Sequence, residues 1–210
     1  MDSNKQRWTK AWESPLFRKK LIIGFILITV ILSAFPFFFQ VIEKRKGTFL
    51  NDWLLSRVPA YDMSIMIFIL IWATSLLALF RAVQDPGFLM QFLWSYILLC
   101  ILRILSISLI PLDPPINLLP LADPIANAFY GARFVTRDLF FSGHTASIFL
   151  IALCLKKRTD KALALLASLS IGILLLIQHV HYTIDVIAAP LLTYPIYLTG
   201  RKIANTPDIG

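Results

Sequence analysis

The sequence predicts an all-α integral membrane protein with about six transmembrane helices. Three observations lead there. Of its 210 residues, 58% are hydrophobic and only 15% charged, whereas roughly a quarter of the residues of soluble domains are charged. The apolar residues are gathered into blocks, and a helix needs about 20 mostly apolar residues to cross about 30 Å of hydrocarbon. The basic residues behind the net charge of +8 fall in short segments between those blocks, which is how membrane topology is written. No acidic or basic tract resembles a nucleic-acid arm, so no nucleic-acid partner is expected.

The blocks fall near residues 21 to 42, 63 to 80, 88 to 110, 139 to 155, 162 to 179 and 184 to 199. The chain then divides into a polar N-terminal segment at 1–20, a six-helix membrane domain at 21–200 and a tail at 201–210. The first block is longer than a signal-peptide core and lacks a small-residue cleavage site, so it reads as a retained span. The last two blocks run together through QHVHYTID. They are too long for one crossing, and a turn near residues 177 to 183 is predicted.

Lys and Arg number thirteen in the segments on the side of the two termini and six on the other, with Arg103 left out of both. This predicts cytoplasmic termini. The loops 43–62 and 111–138, and the turn near residue 180, then face the periplasm or lumen. Loop 111–138 holds five of the twelve prolines, a density that blocks regular helix and suits a lid or rim. Cys100 and Cys154 lie within apolar stretches and read as small buried residues, with no metal-ligand spacing.

Three polar features interrupt this apolar chain: SGHT at 142–145, HYTID at 181–185 and Arg103. Ionisable groups within spans are costly and usually face a cavity or one another. His181 and Asp185 stand four apart, which stacks them on one helical face. The carboxylate can hold one ring nitrogen and leave the other as nucleophile or base; the pair serves equally to satisfy itself at a helix end. Ser142 and Gly143 precede a second imidazole, His144. Gly143 permits close backbone approach, and the N–H groups at a helix start form an anion site.

Counting along the helices puts His144 about 8 Å and Arg103 about 10 Å inside the outer ends of their spans, with His181 at the rim, so that all three line one shallow pocket. Arg103 either snorkels or binds phosphate. His179 reads as a supporting residue and Asp138 as a helix cap or a histidine-orienting carboxylate, capping being simpler. Asp113 and Asp123 precede prolines and read as turn residues.

At these residues the chain resembles the sphingomyelin synthase-like branch of the type 2 phosphatidic acid phosphatase superfamily. That family's motif C-G-D-x-x-x-S-G-H-T is matched by Asp138, LFF and Ser142 to Thr145, with Thr136 and Arg137 in place of Cys and Gly. Its motif H-Y-T-x-D-V-x-x-A is matched in full from His181 to Ala189. Arg103 with ILSISLIP resembles a further motif more loosely, and the first motif has no convincing counterpart around NDWLLSRVPAYD.

The resemblance implies transfer of a phospholipid head group through a phosphohistidine. His181 is then the nucleophile, Asp185 its orienting carboxylate and His144 the acid and base. Arg103, Asp138, Ser142, Gly143 and Tyr182 are the implied substrate-binding residues. No metal and no cofactor are implied. The partners are a phospholipid donor, membrane lipids, and either a lipid hydroxyl such as ceramide or water as acceptor. Water would make the protein a lipid phosphatase or phospholipase C. Phospholipid binding or transport without turnover is the remaining alternative.

Overall fold

A computed structural model describes residues 4–121 and 135–205. Asp123, Arg133 and the rest of residues 122–134 of the predicted rim loop lie outside the described residues. The helices are α1 (Asn4–Glu13), α2 (Pro15–Ile42), α3 (Ser64–Gln84), α4 (Pro86–Leu109), α5 (Gly143–Cys154), α6 (Arg158–Ile177) and α7 (Thr183–Ala204), with one short 3-10 turn at Leu55–Arg57. Among the described residues there is no strand, only an isolated parallel bridge between Thr48 and Leu112. The all-α expectation holds.

The helix starts follow local chemistry. Pro15 and Pro86 occupy the first turns of α2 and α4, where a missing N–H costs nothing. Ser14 caps α2 by accepting from the Phe17 N–H at 3.4 Å, and Asp85 caps α4 by accepting from the Gly87 and Phe88 N–H groups at 2.9 and 3.2 Å. Such caps satisfy donors that have no partner inside the helix.

Six helices occupy the six predicted blocks, and four of them, α2, α3, α4 and α6, are long and apolar enough to cross a membrane. Helix α5 is apolar but has only 12 residues, about 18 Å of rise. Helix α7 has 22 residues, with Pro190 and Pro195 inside it and Asp185, Arg201 and Lys202 in its end turns. The faces turned away from the bundle are apolar, as at Phe25, Val30, Ile65, Val83, Leu166 and Leu191. A soluble domain seldom exposes such a continuous surface, and hydrocarbon accommodates it.

Helix α5 sits at the centre, packed on α3, α4, α6 and α7. Its Ala146, Leu150 and Ala152 are fully buried, beside Phe141, Ile171, Leu175 and Ala189. The predicted span began at residue 139, but residues 139–142 are not helical and α5 starts at Gly143. Irregular backbone at membrane depth is tolerated only where protein satisfies its polar groups, and that condition is met here. The Ser142 N–H donates to the Asp185 carbonyl at 3.1 Å, the Phe140 carbonyl accepts from the Ser106 hydroxyl at 2.9 Å, and the Phe141 carbonyl accepts from Arg103.

The bundle is tied at both ends. At the end away from α5's start, Lys20 donates to the Ile203 and Asn205 carbonyls at 2.7 and 2.8 Å, and Arg81 pairs with Asp160 at 2.6 Å. At the other end the loop after α2 pairs with the segment after α4, the Thr48 N–H donating to the Pro111 carbonyl at 2.8 Å. Gln178, fully buried, accepts from the Met63 N–H at 3.1 Å and donates to the Ser64 hydroxyl at 2.9 Å, fastening α3 to the end of α6.

Candidate active site

The turn between α6 and α7 and the start of α5 lie against one another. Tyr182 is the N-cap residue of α7, and Asp185, three residues on, turns its carboxylate back to accept the Tyr182 N–H at 3.0 Å. The same oxygen faces Nδ1 of His181 at 3.4 Å. Asp185 is therefore both a cap and the residue facing the imidazole, and the two readings of the pair left open by the sequence coexist. His181 and Asp185 are 3% and 0% exposed.

From the α5 side, the Ser142 hydroxyl accepts from the Thr145 N–H at 3.5 Å and caps the helix. The capping expected of Asp138 thus falls to Ser142. The Ser142 amide, expected to face an anion, is already used by the Asp185 carbonyl. Of the expected anion donors this leaves the Gly143 N–H, in the first turn of α5 where an amide has no acceptor within the helix.

Arg103, 8% exposed on α4, presents its guanidinium to that helix start. It donates to the Phe141 carbonyl and to the Asp138 carboxylate, with its charge 5.7 Å from the centre of the Phe141 ring. This excludes the snorkelling reading. A Cβ at position 143 would lie 2.7 Å from the guanidinium carbon, so Gly143 is required for the approach of Arg103. The pairing of Asp138 with Arg103 is also its principal role, in place of a cap. The guanidinium has five N–H groups, and two contacts leave donors for a ligand.

Arg103, Asp138, Gly143 and His144 form one end of a cavity of about 550 Å³ that continues between α3, α4 and α5. His181 is not among the residues lining it, which corrects the expectation of one shallow pocket shared by all three. Distance along a helix axis gives depth, but not the face on which a side chain emerges. His181 emerges into the buried turn.

Tyr182 also differs from the expectation of substrate binding. Its hydroxyl donates to the Asp113 carbonyl at 2.9 Å and accepts from the Leu50 N–H at 3.3 Å, bracing the two outer loops against α7. Asp113 is more than a turn residue, since its carboxylate accepts from Gly47 at 3.1 Å and pairs with Arg137 at 2.9 Å. Thr136 and Arg137, the departures from the motif, are held by Glu43: their N–H groups donate to its carboxylate at 3.0 and 3.2 Å.

One residue in this region, Asp52, was not singled out by sequence. Asp52 accepts from the Thr183 N–H at 2.6 Å and hydroxyl at 2.9 Å, closing the first turn of α7 from the loop side. Burial pushes its carboxyl up, but the hydrogen bonds from Thr183, Leu55 and Leu54 outweigh this and hold it below the usual carboxylate range. His179 has φ of 56°, and its Nδ1 and Nε2 face the Ile116 and Val58 carbonyls at 3.0 and 2.9 Å. It is a strut between loops, as its supporting role anticipated. An acidic residue in the NDW string was the available sign for Asp52, but no periodicity connects it to residue 183.

No curated protein and no solved structure matches the chain. Residues 137–202, which carry Asp138, His144, His181 and Asp185, match the family described as PAP2 superfamily C-terminal, and this match supports kinship of that segment with the type 2 phosphatidic acid phosphatase superfamily, whose members are phosphatases or phosphotransferases.

Proposed function

We propose that the protein is a membrane phosphotransferase that moves a phospholipid head group to a lipid hydroxyl such as ceramide. The observation that carries this reading is the bond from Ser142 to Asp185, which fixes the His144 helix start against the turn bearing His181. The sequence match over residues 137–202 and the cavity with Arg103 and His144 at one end support it.

In the first step Nε2 of His181 attacks phosphorus, a P–N bond forms, and the P–O bond to the departing lipid breaks as His144 gives that oxygen a proton. In the second step the acceptor hydroxyl loses its proton to His144 and attacks phosphorus. The P–N bond then breaks and His181 is restored. Asp185 keeps the proton on Nδ1, so Nε2 carries the lone pair. Arg103 and the Gly143 N–H stabilise charge on the phosphoryl oxygens. The basic residues gathered on the side of the termini support cytoplasmic termini and a site facing periplasm or lumen.

Incubating purified protein with a head-group-labelled phospholipid, with and without ceramide, tests the reading. Label in a new lipid only when ceramide is present supports head-group transfer. Release of water-soluble label without ceramide makes water the acceptor. Absence of product in both arms supports binding or transport without turnover.

A further inference from the structure

The cavity has a length as well as a charged end. On α4 its wall runs from Arg103 through Cys100, Tyr96 and Phe92 to Phe88, a separation of 15 residues that corresponds to about 22 Å. Half of a bilayer's hydrocarbon is about 15 Å, so a chain laid along this wall from Arg103 passes the midplane. Phe88, Phe92 and Tyr96 form a continuous stacked ladder, with ring centres 6.1 and 5.5 Å apart and interplanar angles of 2° and 19°. Opposite them α3 contributes the small residues Ser75, Ala78 and Ala82. Helices α2 and α3 each pack on α4, and Phe35 and Phe39 of α2 form the cavity's near edge.

We propose that this cavity is a gauge for one hydrocarbon chain of a lipid phosphate ester, with the head group at Arg103 and His144 and the far limit set by Ala82 and Phe88. This rests on the proposed phosphotransfer and adds the chain selectivity of the same site. A chain already in a bilayer gains little by moving from lipid into an apolar groove, because both surroundings are hydrocarbon. Selectivity therefore comes from exclusion: chains that fit are accepted alike, and a chain longer than the groove must bend or displace packed side chains. The volume of about 550 Å³ falls within the usual range for one small ligand, and a second chain stays outside, in the bilayer.

The test measures binding of a series of n-alkyl phosphonates, from octyl to octadecyl, to the full chain in nanodiscs, corrected for partition into lipid. Phosphonates bind without being turned over. The wild type should show a cut-off at the long end of the series. Ala82→Trp, and the milder Ala82→Leu, should shorten it, with about tenfold weaker binding of the longest chain that the wild type accepts and unchanged binding of octyl phosphonate. Phe88→Ala should move the cut-off the other way. Binding without a cut-off, cut-offs unmoved by the two kinds of substitution, or no phosphonate binding would each overturn the gauge. Phospholipid turnover measured on the same preparations separates the two claims. Phosphonate binding with shifted cut-offs but no turnover leaves the gauge standing and removes the phosphotransfer reading, whereas turnover with unmoved cut-offs does the reverse.

Discussion

The amide of Ser142 donates its hydrogen bond to the carbonyl of Asp185 across 3.1 Å, so the two histidine-bearing segments are joined through backbone at a fixed register. The bond also resolves a difficulty of the fold. Residues 139–142 are irregular and buried, and without this acceptor the Ser142 N–H would be an unmet donor at membrane depth. A single contact thus supports the architecture and places the starts of α5 and α7 together.

Asp185→Asn should separate the two roles of that carboxylate. The amide oxygen can still accept the Tyr182 N–H, so the thermal midpoint should change little. The negative charge that faces the His181 ring is removed, and turnover should fall by about two orders of magnitude or more, by analogy with a hydrolase triad. Unchanged turnover with a lowered midpoint would make Asp185 a helix cap alone.

Gly143→Ala should act through Arg103. The added methyl meets the guanidinium at 2.7 Å, and Arg103 is held by Phe141 and Asp138, so it must leave its place. We expect about a hundredfold or greater loss of turnover, of the size found when one transition-state donor is lost, with the helical content retained. Circular dichroism and head-group transfer on the same preparation check this.

Asp52→Asn should weaken the start of α7 by about 1 kcal/mol, as for loss of a helix cap. Because hydrogen bonds hold the folded carboxyl of Asp52 below its ordinary range, its stabilising contribution is complete above the unfolded pKa and is lost as pH falls through the lower folded value. Denaturation of wild type and variant should therefore differ most near neutral pH and converge in acid. A difference that grows in acid would reverse the sign.

The orientation can be read with single cysteines at the exposed positions Lys46 and Lys157, in a background with Cys100 and Cys154 replaced by Ser. Impermeant reagent should label position 46 from outside and position 157 only after permeabilisation. The opposite pattern would invert the topology.

Much of this was legible in the sequence because the bilayer writes a one-dimensional pattern. The apolar blocks locate α2, α3, α4, α6 and α7 to within about six residues at each end, and the i to i+4 spacing brings His181 and Asp185 together. The start of α5 was displaced because Leu139, Phe140 and Phe141 are as apolar as the helix they precede, and hydropathy cannot distinguish a buried irregular strip from a helical turn. The pairing of Arg103 with Asp138, the clasp of Asp52 on Thr183 and the failure of His181 to share the Arg103 cavity depend on helix azimuth and on loop paths. Neither leaves a periodic trace.

The most direct measurement is of the covalent intermediate, because nucleophile and acid are different histidines in the proposed mechanism. Wild type, His144→Ala and His181→Ala would be given a nitrophenyl phosphodiester, whose leaving group hardly needs a proton, and the phosphoenzyme trapped at alkaline pH, where phosphohistidine survives. An acid-labile phosphoenzyme is expected in the wild type and in His144→Ala, and none in His181→Ala. A phosphoenzyme that persists without His181, or one lost only without His144, would contradict that mechanism.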